Sequence, residues 1–355
     1  MLTAAVVWVW GLTAVQWAVG PVQVRAAEPI VTSEPSPVQP AVLSASASTT
    51  TTGTATTTTP PTSSTTTSTT SPPVSEDSTV QADYVVPQTE AEPEAKQLAA
   101  DIAYSLTTYE ASDHNSEHLE RLEALGSRSS VQVLGQASEP LTHPGSWSRG
   151  EVIYPQLGGL ENGLASVMVV TRQTVGTGSE ADFSVVRTLD IRLVHDESGW
   201  EFDYLSSAGG TFENLDALAT ADVVASDPRI QMPDTARLDI LAGLVSPNLL
   251  EVMAELADQT PYEVVVLATG HPHNVFETNR VSQHTVGQAV DVYRIGDHQV
   301  IDDRGPDGAT KGIVEWLYDH PDVAQVGSPW DLDGAGSGRS FTNVVHQDHI
   351  HLAVK

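Results

Sequence analysis

The segment SQHTVGQAVDVYRI, residues 282–295, joins a histidine-bearing turn to a strand. His284 stands seven residues before Asp291, and Gly287 between them permits a tight turn. From Ala289 onward every second residue lies on one face of the expected strand, and Asp291 is among them. The pattern therefore predicts that a loop imidazole and a strand carboxylate meet at one point.

The terminal segment HQDHIHLAVK, residues 346–355, carries a second group of histidines. His349 and His351 are two positions apart, so in an extended strand both imidazoles project from the same face. Strict alternation would put His346 on the opposite face. Whether His346 is a third active-site imidazole therefore stays open at this point.

The two segments together can supply the ligands of a metal ion. The chain contains no cysteine, so any metal site must use His, Asp or Glu. Three nitrogen and oxygen ligands with an open fourth position are typical of a catalytic zinc centre, in which bound water becomes acidic enough to attack a carbonyl. His271 and His273 are expected to be loop residues or neighbours of the ligands rather than ligands themselves.

Regular elements are predicted around these segments. Apolar residues at helical spacing, with Asn248 near the start, predict a helix over residues 247–259. The apolar run YEVVVLA, residues 262–268, predicts a buried strand. The sequence therefore predicts an α+β domain over residues 228–355.

The S-x-H-x-x-G-x-A-x-D pattern of residues 282–291, followed by His349-x-His351, resembles the zinc signature of a known superfamily. That superfamily includes D-alanyl-D-alanine carboxypeptidases, the penicillin-insensitive murein endopeptidase and the hedgehog signalling domain. The resemblance covers about residues 235–355. It implies that His284, Asp291 and His351 bind Zn²⁺, and that His349 lies unligated beside the metal, where it can relay protons or stabilise the transition state.

The sequence departs from this superfamily in two places. The carboxypeptidases carry a Glu three residues before the last ligand, where this chain has Asp348. Asp348, His349 and His346 are therefore all candidate catalytic residues. The superfamily's Arg after SGY is replaced by the sequence TGHPH, which leaves Arg280 and Arg339 as candidate clamps for a substrate carboxylate.

The middle region, residues 92–227, is predicted to be a separate α+β accessory domain. One or two helices come first, and strand-like runs follow at residues 152–154, 165–175, 185–194 and 200–205. This order resembles the cone-shaped fold of nuclear transport factor two-like domains. We expect a binding or spacing role there, because no convergent set of chemically active residues is visible.

The N-terminal part of the chain is predicted to carry no folded domain. Residues 1–26 are mostly apolar, with Arg25 as the one charged side chain, and are typical of an export signal peptide, with an uncleaved membrane anchor as the alternative. Residues 27–91 are rich in Ser, Thr and Pro, which is typical of a disordered linker. The linker is either a tether that holds the folded part away from a membrane or a spacer that aids solubility.

Charge excludes several classes of partner. The chain has 16 Lys and Arg against 46 Asp and Glu, a formal net charge of −30. Such a surface repels phosphate backbones and anionic lipids, so we expect no nucleic-acid partner and no membrane contact beyond the possible anchor.

These observations predict an exported α+β zinc metallopeptidase of the extracellular space or cell envelope. Its substrate would be a peptidoglycan stem peptide, cleaved as by a D-Ala-type carboxypeptidase or endopeptidase. Two alternatives remain: a zinc-stabilised extracellular binding domain without turnover, and a hydrolase of another peptide or amide.

Overall fold

The computed structural model describes residues 84–113, 120–121, 131–210, 223–334 and 338–355. These residues belong to one compact unit, Pro72–Lys355, and contain both helices and sheets, which confirms the α+β class. The N-terminal segment, most of the Ser/Thr/Pro-rich linker and most of residues 114–130, where a second helix could precede the strands, lie outside the described residues. Among the helices that are described, none is long and apolar enough to span a membrane.

The first sheet is an antiparallel meander with the order β1-β2-β3-β4. Its strands are β1 (Trp147–Glu161), β2 (Leu164–Gly176), β3 (Phe183–Asp196) and β4 (Gly199–Ser207). They contain all four strand-like runs that the sequence predicts. Asn162 and Gly163 both have positive φ values and form the two-residue turn between β1 and β2, as hairpin geometry requires.

In the described part of the chain, the helices α1 (Pro93–Thr107) and α2 (Val131–Ala137) precede this sheet. Pro93 opens α1 at a position where no intrahelical N–H bond is lost. The helix buries Ile102 and Leu106, which belong to the same apolar cluster as Leu189 of β3. This contact anchors α1 on one face of the sheet and leaves the other face for the second half of the chain.

The second sheet has the order β10-β9-β11-β7-β6-β5, with β8 paired to β7 outside that path. Its strands are β5 (Ile230–Gln231), β6 (Tyr262–Val266), β7 (Ala289–Ile295), β8 (His298–Gln299), β9 (Val323–Gly327), β10 (Ser340–Phe341) and β11 (Ile350–Val354). The accompanying helices are α3 (Asp234–Leu241), α4 (Pro247–Gln259) and α5 (Ala309–Asp319). Strand β11 lies between β7 and β9, so the two histidine-bearing segments are neighbours.

Helix α4 has the bounds that the sequence predicts. Ser246 caps it by accepting a hydrogen bond from the backbone N of Leu249, and Pro247 occupies the first turn. Ser246 is therefore the N-cap of α4, and Asn248 lies within its first turn. Leu249 and Met253 are fully buried in the apolar cluster of the second sheet.

The two sheets share a third apolar cluster. Tyr154 of β1 stacks on Tyr293 of β7 with ring centroids 4.5 Å apart. Thr188 of β3 donates a hydrogen bond from its Oγ1 to the backbone O of Val265 in β6, at 2.6 Å. Strand β1 therefore packs against the strands that carry the histidine motifs, and its side chains reach them.

Candidate metal centre

The three residues expected to bind zinc converge on one point. His351 Nδ1 lies 3.0 Å from Asp291 Oδ1, and His284 Nε2 lies 3.2 Å from each of these two atoms. Tetrahedral geometry with bonds of about 2.0–2.1 Å separates neighbouring ligand atoms by about 3.3 Å. The spacing of the three atoms therefore matches three corners of a tetrahedral metal site.

Two of these side chains, His284 and Asp291, are oriented and charged in a way that suits metal binding. His284 donates its Nδ1 proton to the backbone O of Leu267 at 2.6 Å, which leaves the Nε2 lone pair facing Asp291. Burial alone would raise the pKa of Asp291, but His284 and His349 hold it well below its usual range. An anionic oxygen and an imidazole nitrogen are thus presented together.

Gly287 fixes the turn that brings His284 to this point. Its φ is +70°, and a Cβ there would lie 1.9 Å from the backbone O of Leu244. Only glycine fits both conditions. The glycine of the pattern is therefore required by the close approach of the chain and not only by the turn.

His271 lies closer to the centre than the sequence suggested. Its ring stacks on His284 with centroids 3.9 Å apart, and ligand atoms of His271, His284 and Asp291 lie within 4.8 Å of one another, a group that could hold a metal ion. Burial and the neighbouring His284 lower the pKa of His271 well below its usual value. His273 instead lines a separate cavity with Arg192.

Asp348 and His349 form a hydrogen-bonded dyad beside the three ligands. His349 donates its Nδ1 proton to Asp348 Oδ1 at 2.6 Å, and its Nε2 lies 3.8 Å from Asp291 Oδ2. Burial opposes the charge on His349, but the two carboxylates outweigh burial and raise its pKa. The imidazole is therefore held in one tautomer, with Nε2 directed toward the ligands.

Asp348 is enclosed rather than open to the cleft. Its Oδ2 accepts a hydrogen bond from the backbone N of Leu157 at 2.9 Å and a second, short one from Lys96 Nζ. Burial would raise the pKa of Asp348, but Lys96 and the hydrogen bond from His349 lower it to about 2. With both oxygens engaged and no exposed surface, Asp348 is placed to orient His349 rather than to accept a proton itself.

His346 reaches the same cleft because the chain is not extended there. Residues Val345–Gln347 form a 3₁₀ turn, so the alternation expected of a strand does not apply. The His346 ring lies 5.0 Å from that of His349 and 5.9 Å from that of His351. The His346 ring packs against Gly327, in the space that a side chain at that position would occupy. Burial lowers the pKa of His346 well below its usual value.

The histidines open into a cavity of 380 Å³. Arg280, which is exposed, lines this cavity together with Phe276 and Phe341. Arg339 does not line it, because its guanidinium donates to the backbone oxygens of Tyr318 and Val323. Arg280 therefore remains a candidate clamp for a carboxylate, and Arg339 does not.

Sequence reasoning missed two site residues from the first half of the chain. Gln156 of β1 donates from Nε2 to Asp291 Oδ2 at 2.7 Å, and Lys96 of α1 contacts both Asp348 and Glu90. No motif links residues this far apart in sequence. The one available signal was Lys96 itself, the single basic residue of α1, on a face otherwise made of buried alanines.

Comparisons with known proteins give no significant match: no model of a protein family, no curated sequence and no solved structure matches this chain.

Proposed function

We propose that this protein is a zinc-dependent hydrolase of peptide bonds that acts on peptidoglycan stem peptides. The observation that carries the proposal is the convergence of His284 Nε2, Asp291 Oδ1 and His351 Nδ1 at 3.0–3.2 Å, beside a histidine held by a buried carboxylate. Because the apolar residues 1–26 predict export, we place this activity in the cell envelope.

Zinc suits this donor set better than calcium or magnesium does. Two imidazoles and one carboxylate, without thiolates, are ligands that zinc takes in catalytic sites with an open position. Calcium and magnesium prefer sites made of oxygen atoms alone. When bound, zinc polarises a carbonyl and lowers the pKa of a water molecule toward neutrality.

His349 supplies the proton transfer in this proposal. Asp348 occupies its Nδ1, so Nε2 is the atom that can accept a proton from water and return it to the leaving amine. Asp348 stabilises the imidazolium that forms in between, much as the aspartate of a hydrolase triad does. His346, which lines the same cavity, is placed to contact the substrate.

The substrate class follows from the resemblance of the two motifs and from the charge of the cleft. Arg280 offers a cation at the cavity in a chain with a formal net charge of −30. A guanidinium binds carboxylates through paired hydrogen bonds. Stem peptides, which end in free carboxylates, carry the group that Arg280 would bind.

Mass spectrometry of purified muropeptides incubated with the full chain and zinc tests this function. Loss of a terminal residue indicates a carboxypeptidase, and cleavage of a cross-link indicates an endopeptidase. The His284→Ala variant controls for contaminating hydrolases. If zinc is bound to the wild type and no muropeptide changes, the zinc-stabilised binding domain becomes the better explanation. The enclosed position of Asp348, which leaves it unable to act as a base itself, is compatible with that alternative.

A further inference from the structure

We propose that strand β1 of the first sheet is a working part of the metal centre, and that Gln156 is a positioning residue for Asp291. The inference rests on the proposed function in one respect, that Asp291 binds the metal. It assigns a role to the part of the chain for which the sequence suggested only binding or spacing.

Gln156 controls which oxygen of Asp291 faces the two candidate ligands His284 and His351. Its Nε2 donates to Asp291 Oδ2 at 2.7 Å, whereas Oδ1 is the atom that faces His284 and His351. A carboxylate held by one oxygen has little freedom to rotate. Such outer hydrogen bonds orient ligands and contribute strongly to metal affinity.

A neutral donor is the suitable group at this position. A carboxylate in place of the Gln156 amide would repel Asp291, and a cation would compete with the metal for its charge. The amide leaves the full negative charge of Asp291 to the metal and still fixes its orientation. The chemistry of the side chain therefore agrees with a role toward a cation.

Irregular pairing of strand β1 accompanies the position of the Gln156 side chain. It is the edge strand of the first sheet, and its pairing with β2 shifts register between Val152 and Tyr154 and again between Leu157 and Gly159. Gln156 lies between the two shifts. Bulges near active sites commonly re-aim side chains, and here the same short segment also provides the Leu157 N–H to Asp348.

Packing alone does not explain a glutamine here. Gln156 is fully buried, and within the described part of the chain its Oε1 has no hydrogen-bond partner. An unpaired buried oxygen destabilises the folded state, so an apolar side chain of similar size would serve the core better. The contact with Asp291 is the feature that an apolar residue would lose.

The same sheet provides a matched control. Gln173 of β2 is also fully buried, and its Oε1 also has no hydrogen-bond partner among the residues that the structure describes, but its Nε2 donates to the backbone O of Leu141 and to Ser148 Oγ. Replacing either glutamine by leucine makes the same chemical change in the same sheet. Only the change at Gln156 removes a contact with the metal centre.

The test measures zinc affinity of the full chain by competition with a chromophoric chelator, together with the visible spectrum of the Co²⁺-substituted protein. We expect Gln156→Leu to weaken zinc binding by about 10- to 100-fold and to change the Co²⁺ spectrum. Gln173→Leu should leave both as in the wild type, whatever it does to the melting temperature. If Gln156→Leu does not fold, Gln156→Met, which keeps the length of the side chain, takes its place.

The outcomes separate this inference from the proposed function. Wild-type zinc binding in a folded Gln156→Leu variant overturns the role of Gln156 and leaves the zinc site standing. An equal loss of affinity in Gln173→Leu also overturns it, because the effect would then belong to the sheet as a whole. A wild type that binds no zinc overturns both.

Discussion

His351 on β11 stands directly opposite Asp291 on β7, and its Nδ1 lies 3.0 Å from Asp291 Oδ1. The pair joins the two sequence motifs, which lie 60 residues apart, across one rung of the sheet. Since the register of neighbouring strands is fixed by the pattern of buried residues, a shift by one position would turn one of the two side chains to the opposite face. The convergence of these candidate ligands therefore depends on the pairing of β7 with β11.

The turn at Gly287 is predicted to tolerate no side chain. In the Gly287→Ala variant the new Cβ would meet the backbone O of Leu244, and the positive φ adds strain. We expect loss of stability together with loss of zinc binding. Gly312→Ala is the control, because nothing lies within 4 Å of a Cβ there and the residue is inside α5. That variant should gain about 0.5–1 kcal/mol in urea denaturation.

Lys96 is predicted to be essential for stability. It is completely buried between Glu90 and Asp348, so Lys96→Met leaves two uncompensated carboxylates. Breaking a buried ion pair in this way typically costs about 3–5 kcal/mol. Denaturation with urea measures the loss, and Lys311→Met, which removes the half-exposed pair with Glu315, should cost less than about 1 kcal/mol.

The ionised Asp348 should stabilise the protein in a defined pH range. Its pKa is lowered to about 2 by Lys96 and His349 against the effect of burial, whereas an unfolded aspartate has a pKa of about 3.9. Because the folded pKa is the lower one, the stabilisation is complete above the unfolded value and is lost as the pH falls toward about 2.

The contribution of ionised Asp348 to stability is measured as a difference: the free energy of unfolding of the wild type minus that of Asp348→Asn. We expect the difference to be constant between about pH 5 and pH 6, below the range in which histidine titrates, and to shrink on acidification below about pH 4. Urea denaturation at a series of pH values gives both curves. A difference that grows on acidification would show that the folded pKa lies above the unfolded one.

Arg280 is predicted to bind the carboxylate of the substrate. Arg280→Ala should raise KM for peptides with a free terminal carboxylate. It should leave KM unchanged for the same peptides when that carboxylate is replaced by an amide. Arg339→Ala is the matched control, because that guanidinium is bound to backbone oxygens away from the cavity. Equal effects of the two variants on KM would refute the clamp at Arg280.

Local patterns were enough for the elements that carry the ligands. The helix over Pro247–Gln259 and the strand that holds Asp291 follow from apolar periodicity, which depends on neighbouring residues only. His346 was harder to place, because a 3₁₀ turn interrupts the alternation that a strand would have shown.

Contacts between distant parts of the chain were beyond the reach of such patterns. Lys96 and Asp348 are separated by 252 residues, and Gln156 and Asp291 by 135. Their meeting depends on how two sheets pack, and periodicity within one segment carries no information about that. The accessory region was therefore assigned no chemistry, although it supplies hydrogen bonds to Asp291 and Asp348.

The central claim is that His284, Asp291 and His351 hold the metal while His349 acts beside it. Measuring zinc per chain after dialysis, in the wild type, His351→Ala and His349→Ala, tests this claim most directly. We expect about one zinc in the wild type and in His349→Ala, none in His351→Ala, and a turnover that is lower by about 10²-fold or more in His349→Ala. A wild type without zinc, or zinc lost from His349→Ala but kept by His351→Ala, would contradict it.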